Sequence, residues 1–240
     1  MTTASANTPA SPAAAPAAPI RVLIVDDQAL MRLGFAMTLK AEPDIEVVGE
    51  AADGAEAVAQ AAALQPDVVL MDVRMPGLDG IEATRRIVAA SSGTRVIVLT
   101  TFDLDEYAIG ALKAGASGFL LKDIRPDDLT AAIRSVASGD ATISPRVTRR
   151  MLDLFADYLP SAAQPPAENP ASGRLDTLTP REKEVFDGIV SGKTNSEIAN
   201  TLSVSETTVK THVGNILTKL ELRDRIHVVV WAYETGLVKP

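Results

Sequence analysis

Three aspartates, a threonine and a lysine are the side chains of this sequence with the clearest capacity for chemistry. Asp26 and Asp27 are adjacent, and Asp72, Thr100 and Lys122 follow singly along the chain. Three carboxylates in one pocket repel one another unless a cation joins them, and oxygen ligands without nearby Cys or His suit a hard ion such as Mg²⁺. A carboxylate can also attack phosphorus and form an aspartyl phosphate. If the five meet, they predict phosphoryl transfer supported by Mg²⁺, the hydroxyl and the ammonium.

The elements that would bring these residues together are five short apolar runs alternating with helix-length segments. The runs are rich in Val, Ile and Leu, which predicts strands covered on both faces of a doubly wound, five-stranded parallel sheet. The carboxyl ends of such strands share one edge, where ligands bind. We predict strands at Ile20–Val25, Ile45–Ala51, Val68–Met71, Val96–Leu99 and Gly118–Leu121, and helices at Gln28–Lys40, Ala55–Leu64, Ile81–Ala90, Asp105–Ala114 and Pro126–Ser138.

Each of the five polar residues also has an ordinary structural explanation. An Asp pair after a strand is often a helix cap or a turn, and Lys122 beside Asp123 is typical of a solvated surface pair. Their joint placement favours function: the Asp pair follows the first predicted strand, Asp72 the third, Thr100 the fourth and Lys122 the fifth.

The surrounding motifs resemble the receiver domain of bacterial two-component response regulators over about residues 20–140. The resemblance lies in Val25-Asp26-Asp27, in the run from Met71 to Gly80, in Leu99-Thr100-Thr101-Phe102 and in the run from Gly118 to Asp123. It implies that Asp72 accepts phosphate from the phosphohistidine of a sensor histidine kinase. It also implies that Asp27, Asp72 and the backbone carbonyl of Arg74 bind Mg²⁺, with Asp26 assisting through water.

The same resemblance implies that Thr100 and Phe119 form a switch pair and that Lys122 binds the phosphoryl group. Many receivers have tyrosine where this sequence has Phe119. Because phenylalanine lacks the hydroxyl, we expect the switch to work by burying or exposing the ring.

Two other functions compete with this interpretation. A Mg²⁺-dependent phosphatase using an aspartyl phosphate needs a second carboxylate near the nucleophile, often two residues on, where this sequence has Arg74. A pseudo-receiver would act through protein contacts and never take phosphate. We expect a protein that transfers phosphate to itself rather than a turnover enzyme.

A change of composition separates a second, all-α domain from the first. We predict a disordered Ala/Pro-rich tail over residues 1–19, a receiver domain over 20–140, a linker helix and Pro-rich linker over 141–173, and a helix-turn-helix domain over 174–240. The linker includes a helix at Pro145–Leu159 and four prolines in residues 160–173. The last domain is predicted to have four helices, at Pro180–Ser191, Asn195–Leu202, Glu206–Leu220 and Asp224–Thr235.

The helix predicted at Glu206–Leu220 has one apolar face and one short, polar face, and Ser205 is its predicted cap. With the preceding helix and a three-residue turn it matches a helix-turn-helix, whose second helix enters the major groove of DNA, although periodicity alone fits a packing hairpin equally well. Basic side chains suit phosphates, and Lys210, Thr211 and Asn215 suit base edges. The predicted DNA-binding residues are Lys193, Lys210, Thr211, Gly214, Asn215 and Lys219.

The motifs of this region closely resemble the LuxR-type DNA-binding domain. They are the runs from Leu178 to Val185, from Gly192 to Ala199 and from Thr208 to Val213. A receiver joined to this domain is the NarL/FixJ class of response regulator, which implies that Lys210, Thr211 and the site of Gly214 face the groove. Some relatives have a basic residue at that last position.

The last predicted helix is apolar almost all round, so one face must cover the domain core and the rest needs another cover. We expect a second subunit to cover Val228, Val229, Trp231 and Ala232, giving a homodimer when phosphorylated. Packing within the core and docking on the receiver are the alternatives.

Net charge and composition limit the classes of partner that the sequence allows. The chain has a formal charge of −8, but residues 1–144 account for all of it and residues 145–240 are neutral, so total charge is a poor guide to DNA binding. The absence of cysteine excludes disulfides and thiolate metal sites. The sequence has no apolar run long enough to span a membrane. We therefore expect a cytoplasmic protein whose partners are a sensor histidine kinase and double-stranded DNA.

Overall fold

The computed structural model describes residues 18–101, 110–138 and 174–237. Most of the predicted tail, the linker helix at Pro145–Leu159 and the proline-rich stretch after it lie outside these ranges. The helix predicted at Asp105–Ala114 is described only from Gly110, where residues 110–113 are helical.

A five-stranded parallel sheet forms the centre of the first domain. Its strand order is β2-β1-β3-β4-β5, which confirms the predicted doubly wound α/β fold. Nearly every residue of the three middle strands is buried, as their continuous apolar runs require. The strands are β1 (Ile20–Val25), β2 (Ile45–Ala51), β3 (Val68–Asp72), β4 (Arg95–Thr100) and β5 (Gly118–Leu121).

Helices cover both faces of this sheet. Two of them contribute Ala57, Ala61, Ala83 and Ile87 to the core on one face, and the other two contribute Phe35, Leu39, Leu129 and Ile133 on the opposite face. Because the faces are covered, the carboxyl edge of the sheet is the open side where polar groups converge. The helices are α1 (Ala29–Lys40), α2 (Gly54–Leu64), α3 (Gly80–Ala90) and α4 (Pro126–Ala137).

The second domain consists of α5 (Pro180–Val190), α6 (Asn195–Leu202), α7 (Glu206–Leu220) and α8 (Arg225–Glu234). Side-chain caps fix where the first three begin: Thr179 and Thr194 each form a capping box, and Ser205 Oγ accepts a hydrogen bond from Thr208 N at 3.1 Å. The bounds predicted for α6 and α7 and the cap at Ser205 are confirmed. No helix in the described ranges is long and apolar enough to cross a membrane.

Helix α8 contacts the hydrophobic cores of both domains. Val228, Val229, Ala232 and Tyr233 pack among the helices of the second domain. Ile226 and Val230 instead belong to the receiver-side core that contains α2 and α3. The structure thus shows α8 docked on the first domain, which is one of the alternatives that the sequence left open.

Candidate phosphoryl-acceptor and DNA-binding sites

The three aspartates and Lys122 meet at the carboxyl edge of the sheet as predicted, and Thr100 ends β4 at the same edge. Asp26, Asp27 and Asp72 each offer a carboxylate oxygen, and these oxygens lie within 4.8 Å of one another. Lys122 Nζ lies 2.7 Å from Asp26 Oδ2 and 2.8 Å from Asp72 Oδ2. Thr100 is the buried last residue of β4, next to Leu99, the partner of Asp72 in the sheet. We call the three aspartates the acidic cluster.

The acidic cluster carries more negative charge than Lys122 neutralises. Burial raises the pKa of Asp72, although the hydrogen bond and the charge of Lys122 oppose the rise. Burial alone would lower the pKa of Lys122, but its hydrogen bonds to Asp26 and Asp72 raise it above the usual range. Asp26 is completely buried, and Lys122 Nζ is the cation that its Oδ2 contacts within the described residues. This oxygen-only set, with Asp27 exposed to solvent, has the chemistry of a hard-cation site.

Backbone and arginine contacts hold two of the aspartates in place. Asp26 Oδ1 accepts a hydrogen bond from Gln28 N at 2.9 Å, and the Arg32 guanidinium donates to the Asp26 carbonyl at 2.7 Å. Asp72 Oδ1 accepts from Arg74 N at 3.3 Å. Sequence reasoning missed Arg32, because its contact depends on how α1 packs after the first turn.

Gly80 lets α3 begin directly against the loop that follows Asp72. A Cβ at this position would lie 1.8 Å from the Asp72 carbonyl oxygen, so only glycine fits. Gly80 N also donates to the Val73 carbonyl at 3.0 Å. The close approach fixes the backbone that follows Asp72.

A cavity of about 410 Å³ opens beside the acidic cluster and gives a reactant access to it. The Arg74 side chain crosses toward β4, where its guanidinium donates to Thr101 Oγ1 at 3.2 Å. That the Arg74 carbonyl binds Mg²⁺ stays a prediction. The lining residues are Asp27, Val73, Arg74, Met75, Pro76, Asp79 and Ile81.

The predicted switch residues lie on neighbouring strands. Phe119, on β5, is 1% exposed and pairs with Val98 of β4. Lys122 N donates to the Thr100 carbonyl at 2.8 Å, which ties the ends of these two strands together. The ring of Phe119 is therefore in a buried position in this structure.

Four of the predicted DNA-binding residues form an exposed surface on α7. Lys210, Thr211, Gly214 and Asn215 are exposed, while Val209, Val213, Ile216 and Leu220 of the same helix are buried. A Cβ at Gly214 would meet no heavy atom within 4 Å among the described residues, so this surface has room for a larger side chain. The amphipathic pattern of α7 is thus as predicted.

The other two predicted DNA-binding lysines make contacts within the chain. Lys219 Nζ lies 2.6 Å from Glu182 Oε2, and Lys193 Nζ lies 3.4 Å from Thr201 Oγ1. The hydrogen bond from Lys219 is the main reason why the pKa of the Glu182 carboxyl falls to about 2. Sequence reasoning missed the partner of Lys219 because Glu182 lies on another helix.

Three of the four residues predicted for a dimer interface are already buried within this chain. Val228 and Ala232 are completely buried and Val229 is 9% exposed. Trp231 is partly buried and packs edge-on against Phe186, with ring centroids 6.2 Å apart. A dimer contact through α8 stays a prediction, and Trp231 is the member of the set with most surface left.

Comparison with known proteins identifies both domains. Residues 22–134 match the response regulator receiver domain, and residues 176–232 match the luxR family of bacterial regulatory proteins. The chain is 42% identical over 219 residues to the transcriptional regulatory protein LiaR of Bacillus subtilis (strain 168), covering 91% of this chain and 99% of that protein. It is 35% identical over 218 residues to the nitrate/nitrite response regulator protein NarL of Escherichia coli (strain K12), with 90% and 96% covered.

A solved structure is similar as well. The LuxR-family two-component response regulator from Aurantimonas sp. SI85-9A1 matches with a TM-score of 0.53 and 34% identity, over 57% of this chain and 97% of that one. The chain therefore belongs to the NarL/LiaR-type response regulators, transcriptional regulators of two-component systems that join a receiver domain to a LuxR-type DNA-binding domain.

Proposed function

We propose that a sensor histidine kinase phosphorylates this protein on Asp72 in a Mg²⁺-dependent reaction, and that phosphorylation switches dimerisation and sequence-specific DNA binding. The observation that carries the proposal is the position of Lys122 Nζ, within 2.8 Å of both Asp26 and Asp72, beside an exposed Asp27. A buried carboxylate next to a fixed ammonium and an open cavity is equipped to accept a phosphoryl group.

In the transfer step, a carboxylate oxygen of Asp72 attacks phosphorus. The O–P bond forms as the P–N bond of the kinase phosphohistidine breaks, and the imidazole nitrogen keeps the electron pair. Lys122 offsets the charge on the phosphoryl oxygens and the Thr100 hydroxyl donates a hydrogen bond to one of them. Mg²⁺, held by Asp27, Asp72 and the Arg74 carbonyl with Asp26 in support, would supply further positive charge to those oxygens.

The switch then acts through Thr100 and Phe119. Engaging the Thr100 hydroxyl with phosphate shifts an existing equilibrium between conformations in which the Phe119 ring is buried or exposed. The protein performs one transfer to itself, so it is not a turnover enzyme. It works in the cytoplasm, where a kinase and double-stranded DNA are both accessible.

The phosphorylated form binds DNA as a homodimer on a two-fold site, with α7 of each subunit in the major groove. Lys210, Thr211 and Asn215 read or approach base edges, while Lys193 and Lys219 lie near phosphates. The exposed polar face of α7 supports this role.

Intact-mass measurement tests the phosphorylation. The protein is incubated with Mg²⁺ and acetyl phosphate, beside a sample without divalent ions, Asp72→Asn, and Asp123→Asn as a matched control that removes a nearby exposed carboxylate. We expect one phosphoryl adduct in the wild type and in Asp123→Asn, and none in the other two. An adduct in Asp72→Asn would reject Asp72 as the acceptor, and no adduct anywhere would favour a pseudo-receiver.

Selection of binding sequences from random DNA, followed by fluorescence anisotropy, tests the proposed sequence-specific DNA binding. Phosphorylated wild type should bind a two-fold sequence more tightly than Asp72→Asn does. Lys210→Ala and Asn215→Ala should weaken binding at least tenfold, whereas Lys183→Ala, at an exposed position of α5, should bind like the wild type. Equal effects of all three substitutions would assign DNA binding to another surface.

A further inference from the structure

The side chain of Arg32 connects the first helix of the receiver to the loop that carries two members of the acidic cluster. Arg32 lies on α1, and its guanidinium Nη1 donates a hydrogen bond to the Asp26 carbonyl at 2.7 Å. Arg32 Nε lies 3.5 Å from Glu50 Oε2, near the end of β2. Only 18% of the arginine side chain is exposed, so the guanidinium is held between these two contacts.

Helix α1 begins without the cap that a polar side chain often provides. Gln28 precedes the helix and makes no side-chain capping hydrogen bond within the described residues, and the first turn of α1 contains no acidic residue. Instead the Asp26 carboxylate accepts from Gln28 N at 2.9 Å, and Arg32 reaches back to the Asp26 carbonyl. These two hydrogen bonds run in opposite directions between the loop and the helix, so both must break before the loop moves relative to α1.

The contact to the Asp26 carbonyl bears directly on Asp27. That carbonyl and the Asp27 nitrogen belong to one planar peptide unit, so fixing the first fixes the direction in which the Asp27 residue starts. The loop is also held from β2, because Asp26 N donates to the Ala51 carbonyl at 3.2 Å. The Asp27 side chain is exposed and lines the cavity, so the backbone that carries it determines where the carboxylate lies.

Glu50 offsets the positive charge that Arg32 brings close to the acidic cluster. An unpaired guanidinium near these carboxylates would repel a second cation. The Glu50 carboxylate pairs with that guanidinium, and the Glu50 carbonyl accepts a hydrogen bond from Gln60 Nε2 at 2.6 Å, which ties the end of β2 to α2. Arg32 can therefore act through hydrogen-bond geometry, with its charge offset by a neighbour.

We propose that Arg32 is a positioning residue for the divalent cation: by fixing the peptide between Asp26 and Asp27 it holds the Asp27 carboxylate in place to bind the ion, and Glu50 holds Arg32. This inference rests on the proposed function, in which Asp27 is a ligand of Mg²⁺. A ligand that is already in place loses little conformational freedom when the ion arrives, so binding is tighter. Arg32 itself touches neither the ion nor the phosphoryl group.

Binding of Mn²⁺ to the full-length, unphosphorylated protein tests this role without a phosphoryl donor. Mn²⁺ takes octahedral oxygen ligands as Mg²⁺ does, and electron paramagnetic resonance measures the free ion during a titration. Arg32→Ala should raise the dissociation constant at least fivefold, and Asp27→Asn should lose the same binding. The matched control is Arg21→Ala, which should bind like the wild type, because Arg21 donates to the Gln65 carbonyl at 3.1 Å from the opposite end of β1.

The direction of the change separates positioning from charge. If Arg32 acted only through its charge, Arg32→Ala would leave Glu50 unpaired and the acidic cluster would bind Mn²⁺ more tightly. Tighter or unchanged binding therefore overturns the proposal. Arg32→Lys keeps the charge but replaces the planar fork with a single ammonium, so it should also bind at least threefold more weakly. This variant decides the question if Arg32→Ala does not fold, and wild-type affinity in Arg32→Lys would contradict the inference.

Glu50 supplies an independent test of the same contact. Glu50→Ala should weaken Mn²⁺ binding about threefold in the wild type, because the guanidinium then carries an unpaired charge and is free to move. In the Arg32→Ala background the same substitution should have a smaller effect, since its partner is gone. Equal effects in the two backgrounds would show that Glu50 does not act through Arg32.

The Mg²⁺ dependence of phosphorylation distinguishes positioning from a general structural defect. With acetyl phosphate, Arg32→Ala should need at least fivefold more Mg²⁺ for the half-maximal rate of adduct formation and should approach the wild-type rate at saturating Mg²⁺. A lower saturating rate with unchanged half-saturation would mean that Arg32 has only a structural role.

The two proposals fail in different ways. If the wild type forms the adduct and Arg32→Ala has the same Mg²⁺ dependence, positioning is wrong while the proposed function stands. If the wild type binds Mn²⁺ but forms no adduct, the proposed function fails, and the Mn²⁺ titrations still decide whether Arg32 positions Asp27.

Discussion

Lys122 is the one cation that contacts two members of the acidic cluster within the described residues. Removing its ammonium leaves two buried carboxylates facing one another, which is strongly destabilising. We predict that Lys122→Ala lowers the free energy of unfolding of the receiver by about 3 kcal/mol without divalent ions. Urea denaturation monitored by circular dichroism measures the change, with Lys40→Ala at an exposed position of α1 as the control.

Added Mg²⁺ tests whether the loss of stability in Lys122→Ala arises at the acidic cluster. A cation that joins the carboxylates takes over part of the role of Lys122, so millimolar Mg²⁺ should stabilise Lys122→Ala more than it stabilises the wild type. Equal stabilisation of both proteins would mean that the acidic cluster is not where the ion binds.

Glu182 gives the DNA-binding domain a defined dependence on pH. Its carboxyl has a pKa of about 2 instead of 4.5, so the folded state favours the charged form. The resulting stability is fully present above pH 4.5 and is lost as the pH falls from there toward 2. We predict that Glu182→Gln costs about 2 kcal/mol at neutral pH, the value of a charged hydrogen bond, and removes this acid sensitivity.

Thermal melting between pH 7 and pH 3 tests this prediction. The matched control is Glu184→Gln on the same helix, because Glu184 forms an exposed pair with Arg181 that contributes less than about 1 kcal/mol. A pH profile of Glu182→Gln that parallels the wild type would show that the Lys219 pair does not stabilise the fold.

At the scale of single elements, Gly80 marks where α3 meets the strand that carries Asp72. We predict that Gly80→Ala destabilises the receiver by more than about 2 kcal/mol, since a Cβ would lie 1.8 Å from the Asp72 carbonyl oxygen and the backbone must move. The same shift should slow phosphorylation by acetyl phosphate. Intact-mass kinetics and urea denaturation measure both effects, and a variant with wild-type values would mean that the loop adapts without cost.

Unlike Gly80, Gly214 on α7 has room for a side chain. Its helical position is exposed and open, so Gly214→Ala should stabilise the DNA-binding domain by about 1 kcal/mol through helix propensity alone. Gly214→Arg adds a cation to the predicted groove surface and should tighten DNA binding, with a steeper salt dependence than the wild type. Anisotropy titrations at two salt concentrations check this, and unchanged affinity of Gly214→Arg would mean that this face of α7 does not meet DNA.

The sequence predicted the elements well where local signals decide. The bounds of β1, β2, β5, α6 and α7 are as predicted, because apolar runs and caps such as Ser205 define them. Contacts between distant segments were not predictable in the same way. Lys219 pairs with Glu182 across two helices, and Arg223 contacts Thr94 across 129 positions, so packing alone reveals them.

Across the two domains, the acidic cluster lies at the carboxyl ends of β4 and β5, whereas Arg223, next to α8, contacts Thr94 at the amino end of β4. The chemistry of the acidic cluster was predictable because parallel topology brings strand ends to one edge. The contact of α8 with two cores was not predictable from the sequence. A helix that is apolar on all sides does not indicate which face meets which domain. The sequence could only leave core packing, docking and dimerisation as alternatives.

If docking and phosphoryl binding are coupled, the coupling must be reciprocal. A ligand that releases α8 must bind more tightly to a protein in which α8 is already loosened. We therefore predict that Val230→Ala binds beryllofluoride, a stable mimic of the phosphoryl group, at least fivefold more tightly than Val229→Ala in the presence of Mg²⁺.

Isothermal titration calorimetry measures these affinities at the receiver directly, and the fluorescence of Trp231, the single tryptophan, reports from α8 in the same titration. Because the substitution at Val230 is far from the acidic cluster, an altered affinity must pass through the strands that join the two ends of the sheet. Equal affinities of Val230→Ala and Val229→Ala would show that docking of α8 and phosphoryl binding are independent. The Phe119 ring would then switch without reference to α8.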